Sequence, residues 1–543
     1  MKSKLVILLS KLKYNSVSAS YITILMLVAE QFFRISHPLL TFNLDFHKVT
    51  VLFSIAFVAL LLVSKRAIQG IFIFITIFML VQFLHFNYYG TWVFPLEYLL
   101  LFTKFTETIE TFTSVLDITI VPLLIILPMG TLIYIVLKNI NEKKRLKIPY
   151  LSLVLILFLI FIPLRVYVKE KSKKGARPNI EVSTIVNGIE TLGYFFGRIV
   201  PQKILGNSRF SQPLVLTPPI TVKTPDVNVV VIMGESLTYS VMSLYGGQEK
   251  TTPLLDALSE DENFLKQIAF TSGVVTDVAL PSFFNILYEP DSTEQIISTN
   301  TCLFKMAKKN GFETYFYSAQ SQIGLAYIKS YLCLNSIDHY LDGTNDTGEL
   351  KKNALDGVLL QRLDSIDFNT PKFIILHQIG SHSPYELRYP KEFAKFTTDK
   401  NDRYDRNSYK NSILYTDYII TQIIKKLKEK TNKPTYVFFT SDHGEGIQNH
   451  RGHGNLKLES NYEVPFVLYT INTENKFKKE AKEHKYTSHY EIAKTVAETL
   501  GYDVSSFKDS NETYIVCGKD LCGIAGFLKL DVQNNKILKK SIK

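Results

Sequence analysis

The chain has 543 residues, 46% hydrophobic and 20% charged, with four cysteines and a formal net charge of +11. The positive excess sits at one end: residues 1–177 carry 20 Lys and Arg against 8 Asp and Glu, and the remainder 41 against 42. Such a length invites division into domains, and basic residues confined to loops between apolar runs indicate membrane topology and exclude a nucleic-acid binder with a basic soluble face.

Apolar stretches at 17–33, 49–63, 67–86, 118–137 and 149–168 are long enough, or nearly so, to cross a bilayer as helices. Lys2, Lys4, Lys11, Lys13, the Lys65-Arg66 turn and the loop 138–147 all fall on one side, which the positive-inside rule makes cytoplasmic. Five spans then place the carboxy-terminal part outside. The smaller basic cluster at 169–174 runs against this orientation and is expected to rest on anionic headgroups. No small-residue cleavage site follows the first apolar stretch, so the amino terminus is expected to be retained. Between the third and fourth stretches, 87–117 is too polar to cross; 95–116 reads as a helix at the outer interface, with Thr106, Glu107 and Glu110 on its polar face. The expected division is a transmembrane domain over 1–168, a proline-interrupted linker with one amphipathic helix (183–199) over 169–226, and a globular domain over 227–543.

From 227 onward, strand-like segments at 227–233, 269–271, 314–318, 373–377, 435–440 and 464–469 alternate with helical ones such as 302–310 and 411–430. This predicts an α/β domain with a largely parallel sheet covered on both faces, whose chemistry sits at strand ends. Two strand ends carry it: Gly234-Glu235-Ser236, and Thr440-Ser441-Asp442-His443-Gly444-Glu445. Two carboxylates and an imidazole suit zinc or manganese better than calcium or magnesium, and three ligands leave a fourth position open. Thr276 lies between a short strand and an apolar helix expected to start near Pro281; an alcohol there becomes a nucleophile if a bound metal lowers its pKa. His377, His382, His450 and His453 lie on two further strand-end loops, where imidazoles can donate to phosphoryl oxygens or protonate a leaving group. Cys517 and Cys522 are expected to close a small disulfide loop; Cys302 and Cys333 flank a strand and either pair or stand as thiols.

Taken together, GESLTYSVMSLYGGQEKTTPLLD, GVVTDVALPSFF, HQIGSHSPYELRYP, YKNSILYTDYII and SDHGEG, preceded by five apolar stretches, resemble the bacterial phosphoethanolamine transferases of the sulfatase and alkaline-phosphatase superfamily. The resemblance covers most of the chain. It implies a five-helix transmembrane domain followed by a periplasmic α/β/α sandwich, and a monomeric inner-membrane enzyme using Zn2+. Glu235, Thr276, Asp442 and His443 would be the zinc ligands, with Thr276 also the nucleophile, and His382 and His453 would meet the substrate phosphate. Thr106, Glu110, His377 and His450 are further substrate-binding candidates. The donor implied is phosphatidylethanolamine, and the acceptor is lipid A or another lipopolysaccharide or envelope component. A phosphoglycerol transferase of the same fold is the rival reading. A sulfatase proper is disfavoured, because Thr276 stands where a Cys or Ser followed by x-Pro-x-Arg would mature into formylglycine.

Overall fold

The structure is a computed structural model that describes residues 2–38, 40–89, 91–98, 116–169, 178, 182–201, 214–290, 292–399, 402, 405–446, 452–478, 484–510, 512–521 and 526–542. Thr106, Glu110, His450 and Cys522 lie outside these residues. The chain divides into two compact units, Met1–Asn207 and Ser208–Lys543.

The first unit is helical: α1 (Lys2–Ser36), α2 (Phe46–Leu60), α3 (Lys65–Tyr89), α4 (Leu116–Lys138), α5 (Leu151–Lys169) and α6 (Thr184–Tyr194). Among the described residues, Lys4–Ser36, Lys65–Asn87 and Thr119–Lys138 are long and apolar enough to cross a membrane, while Phe46–Leu60 and Leu151–Arg165 are shorter apolar helices. Three such helices therefore stand where five spans are expected. One reason α2 stops short is visible at its carboxyl end. The buried guanidinium of Arg145 donates to the carbonyls of Leu60 (2.8 Å), Leu62 and Val63 (3.1 Å), satisfying acceptors that a longer helix would have used. Large side chains such as Phe74, Ile77 and Leu124 are exposed on α3 and α4, as lipid contact requires. The expected amphipathic helix is α6, capped by Ser183 and continued by a π-helical turn over Phe195–Ile199.

The second unit is built on an eight-stranded sheet with order β4-β3-β5-β1-β6-β7-β2-β8. The strands are β1 (Asn228–Gly234), β2 (Phe264–Phe270), β3 (Glu313–Ser318), β4 (His339–Leu341), β5 (Lys372–His377), β6 (Thr435–Ser441), β7 (Glu463–Ile471) and β8 (Tyr486–Ser488). In β1 all seven residues are buried with no polar alternation, the mark of a strand covered on both faces. Val229, Val231 and Met233 enter one core and Val230 and Ile232 the other, as the two-residue period of a strand dictates.

The sheet is mixed, because β7 runs antiparallel to both β6 and β2. Among the described residues between β6 and β7 there is only a single helical turn, Glu459–Asn461, and a parallel neighbour would need a full crossover. A second, three-stranded antiparallel sheet holds β9 (Thr513–Cys517), β10 (Phe527–Gln533) and β11 (Lys536–Ile542).

Helices that bear on the site are α7 (Pro253–Leu258), α8 (Thr276–Phe284), α9 (Leu303–Lys309), α10 (Arg406–Lys430) and α11 (His489–Thr499). Contrary to expectation, α8 begins at Thr276 and carries Pro281 inside it, at a position beyond the first turn. The cysteine pairing is also corrected. Cys302 and Cys333 form the disulfide, with Cα atoms 6.8 Å apart, whereas Cys517 is a free thiol that burial pushes well up from its ordinary pKa. Its side chain is packed at the end of β9, which removes it from the loop-closing role that its spacing from Cys522 suggested.

Candidate metal centre

The centre of the sheet builds the site. Strands β1 and β6 are parallel neighbours in register through Gly234 and Ser441, so Glu235 and Asp442 leave adjacent strands at the same edge. Asp442 N–H continues the ladder to Gly234 O at 3.0 Å, and Asp442 Oδ1 accepts from Ser236 N (3.1 Å) and His443 N (2.7 Å). Ser236 takes a left-handed conformation, φ 57°, which costs a non-glycine residue about 1–3 kcal/mol. Tyr409 of α10 holds it there: its hydroxyl donates to Ser236 O (2.8 Å) and accepts from Thr238 N (3.0 Å). The histidine loop after β5 closes on the same turn. Ser381 N donates to Glu235 O at 2.9 Å, and a Cβ on Gly380 would lie 2.7 Å from that oxygen, so only glycine fits.

Ligand atoms of Glu235, Asp442 and His443, all fully buried, lie within 4.8 Å of one another. His443 Nε2 is 3.3 Å from Glu235 Oε1 and 3.5 Å from Asp442 Oδ2. The half-buried Thr276 hydroxyl joins them, 3.1 Å from Glu235 Oε2 and 3.3 Å from His443 Nε2. His443 Nδ1 lies 2.9 Å from Gly444 O; a carbonyl only accepts, so Nδ1 carries the proton and the Nε2 lone pair is turned into the cluster.

These groups fit a metal ion. Asp442 Oδ2 is buried and accepts no hydrogen bond of ordinary geometry. Burial, and then the charge of Glu235, push the Asp442 carboxyl well above its ordinary pKa. Burial also opposes ionisation of Glu235, but His443, His382 and the Ser236 hydroxyl more than offset it and hold that carboxyl well below the usual range. Two buried carboxylates facing one space with an imidazole lone pair aimed at it form a cluster that a cation of the zinc or manganese type relieves.

Around the cluster, His453 stacks near His443 with ring centroids 4.5 Å apart, and His382 lies 6.0 Å from His453. His382 Nδ1 is 2.6 Å from Ser383 O, which leaves its Nε2 for another partner; burial lowers its pKa. His377 is different. It is fully buried, with Nδ1 2.9 Å from Ser318 Oγ and Nε2 3.3 Å from Gln320 Nε2, and burial pushes its pKa down to about 4. Three further residues take part that sequence reasoning missed. Gln320 Nε2 donates to Glu235 Oε2 at 3.0 Å. His489, at the start of α11, accepts from Ser272 N (3.2 Å) and donates through Nε2 to Ser441 O (2.9 Å), tying the loop before Thr276 to the end of β6. Tyr409 is the third. Gln320 and His489 stand far in sequence from the motifs, each just past the end of a strand, β3 and β8, which was a usable signal, whereas Tyr409 opens the YKNSILYTDYII stretch itself.

A mixed α/β sheet with a carboxylate–imidazole centre and an alcohol at its strand ends defines an α/β domain built to hold a metal, in a chain whose other unit is rich in apolar helices. Residues 227–502 match the model of the family described as Sulfatase. The chain belongs to the sulfatase family. It is similar to the Kdo(2)-lipid A phosphoethanolamine 7''-transferase of Escherichia coli K12, 25% identical over 341 residues, 58% of this chain and 59% of that protein. Phosphoethanolamine transferase EptC of the same organism is 27% identical over 265 residues, covering 45% of this chain and 44% of that protein. The chain thus spans about half the length of the curated relatives it matches. Among solved structures, the integral membrane lipooligosaccharide phosphoethanolamine transferase A of Neisseria meningitidis covers 91% of this chain and 97% of its own, at 17% identity and a TM-score of 0.46.

Proposed function

We propose that this protein transfers phosphoethanolamine from phosphatidylethanolamine to lipid A or another envelope acceptor, through a phosphothreonine on Thr276. The observation that carries the reading is the Thr276 hydroxyl, placed against Glu235 and His443 at the amino end of α8. The names of the relatives support it. The enzyme is read as a monomer of the bacterial inner membrane, with five spans over 1–168, a linker over 169–226 and a periplasmic catalytic domain over 227–543.

Glu235, Asp442, His443 and Thr276 would hold Zn2+, which lowers the pKa of the Thr276 hydroxyl and neutralises phosphoryl charge. Thr276 Oγ1 forms a bond to the donor phosphorus as the bond to the diacylglycerol oxygen breaks, and the threonine proton ends on that departing alcohol. An acceptor phosphate or hydroxyl oxygen then bonds to phosphorus as the bond from phosphorus to Thr276 Oγ1 breaks, and Thr276 regains a proton, from the acceptor hydroxyl or, for an unprotonated phosphate, from water. The backbone N–H groups of Thr276 and Asp277, in the first turn of α8 and without an intrahelical acceptor, would face the transferred group. His382 and His453 hold phosphoryl oxygens and relay the protons. His377, with both ring nitrogens engaged, supports Glu235 through Gln320 and does not touch substrate; Thr106, Glu110 and His450 are proposed to meet the donor.

The test is mass spectrometry of full-length protein incubated with phosphatidylethanolamine and no acceptor. A phosphoethanolamine adduct on Thr276 is expected, with no adduct and no transfer in Thr276→Ala. Transfer at near wild-type rate in Thr276→Ala would overturn the covalent route.

A further inference from the structure

The Cys517-Gly518-Lys519-Asp520 stretch, left without a disulfide role, reaches the rim of the centre. Cys517 pairs its backbone with the loop before the nucleophile: Cys517 N donates to Ser272 O (2.9 Å) and Val274 N to Cys517 O (3.2 Å). Gly518 N then donates to Gly526 O at 2.8 Å, which turns the chain so that the next side chain is delivered along the loop. That side chain is Lys519. A Cβ built on Gly454 would lie 2.6 Å from Lys519 Cε, 3.0 Å from Lys519 Nζ and 3.5 Å from Val275 Cγ1. The ammonium therefore occupies the space left by a glycine with φ 86°, between the residue after His453 and the residue before Thr276.

Charge explains why a cation is useful there. Glu235 and Asp442 together offset a divalent ion, so the loaded centre is close to neutral while the donor of the proposed reaction brings a phosphate anion, as does an acceptor such as lipid A. An ammonium at the lip supplies the missing countercharge, and a charge-assisted hydrogen bond to phosphate is among the stronger contacts a side chain makes. We propose that Lys519 is a phosphate-binding residue of this site, holding an oxygen of a phosphate ester as it meets Thr276. This rests on the transferase reading. The phosphate is either that of the donor headgroup or one carried by the acceptor.

Full-length Lys519→Gln and Lys519→Arg, loaded with zinc, test it in two stages. The first is titration with inorganic phosphate, which needs no transferase activity. Lys519→Gln is expected to bind phosphate at least fivefold more weakly than wild type, with equal zinc content and melting temperature, and Lys519→Arg to recover most of the affinity. Equal phosphate affinity in wild type and Lys519→Gln overturns the proposal, as does weaker binding that only accompanies loss of zinc or of folding. The second stage identifies the source: a tenfold rise in KM for phosphatidylethanolamine in Thr276 adduct formation marks the donor phosphate, and the same rise for lipid A in the transfer step marks the acceptor's. If wild type binds phosphate through Lys519 but forms no adduct and transfers nothing, the transferase reading fails while the phosphate site stands.

Discussion

Asp442 and Glu235 are two carboxylates confined to one buried space, and their neighbours divide the work between them. Glu235 has Ser236 Oγ at 2.7 Å and Gln320 Nε2 at 3.0 Å, whereas Asp442 Oδ2 has no comparable donor. Asp442→Asn removes half of a repulsive pair, so the metal-free variant is expected to melt no lower than wild type, yet to lose the stabilisation that added zinc confers. Melting curves with and without zinc check both halves; a variant as strongly stabilised by zinc as wild type would refute Asp442 as a ligand. Gln320→Leu leaves Glu235 Oε2 without its amide donor, and zinc retention on dialysis is expected to fall about 10–100-fold. Glu235, Asp442 and His443 are legible in the sequence because each follows a strongly apolar strand and chain adjacency fixes their placement. Gln320 and His489 are not, because what makes them matter is which strand end lies next to theirs, a property of sheet order that no local pattern encodes; Tyr409, though within the YKNSILYTDYII stretch, matters because α10 turns its hydroxyl onto the Ser236 turn, which the stretch alone does not reveal.

Two elements carry a charge or a cross-link that can be read out. The buried Asp417 on α10 caps α7, accepting from Leu254 N (2.9 Å) and Leu255 N (2.8 Å), and burial raises its pKa to about 7. A carboxyl whose folded pKa lies above its unfolded value of about 4 binds its proton more tightly when folded. Its contribution is therefore complete below about pH 4 and is lost as pH rises through about 7. Asp417→Asn is expected to flatten that part of the profile, its melting temperature gaining on wild type between pH 5 and pH 8; a constant difference across that range would contradict the assignment. The Cys302–Cys333 disulfide closes a separation of 31 residues, worth about 3–4 kcal/mol in the chain-entropy account. Reduction, or Cys333→Ser, should lower stability by about that amount, measured by denaturant titration, while reductant should leave Cys517 chemically unchanged. Five central strands were legible at this scale from apolar, β-branched runs, but β2 was placed at its last residues only, the short strands β4 and β8 and the second sheet were missed, and the direction of β7 was not readable, since an apolar strand reads the same both ways. Nor was the start of α8: Pro281 suggested a first-turn position, and the helix instead carries it inside, five residues after Thr276.

At the scale of the molecule, the charge asymmetry and the apolar runs foretold a helical unit joined to an α/β one, and the two units carry those characters. Composition could not say how many of the five apolar stretches are full spans, because hydropathy does not fix where a helix ends: α2 stops at Leu60, inside its apolar stretch, where Arg145 takes up the carbonyls of Leu60 and Val63. Reporter fusions after Lys543 and within the 138–147 loop are expected to report opposite faces of the membrane, the first outside and the second cytoplasmic. A cytoplasmic carboxy terminus would remove the lipid acceptor from reach.

The loop that presents Thr276 is gripped from two places, by the imidazole of His489 and by the backbone of Cys517. Both lie downstream of Glu235, Asp442 and His443, so in the order of synthesis Thr276 is made early and steadied late. All four residues of the centre are thus synthesised before either clamp on the Thr276 loop, and the placement of its hydroxyl is among the last features of the domain to be fixed.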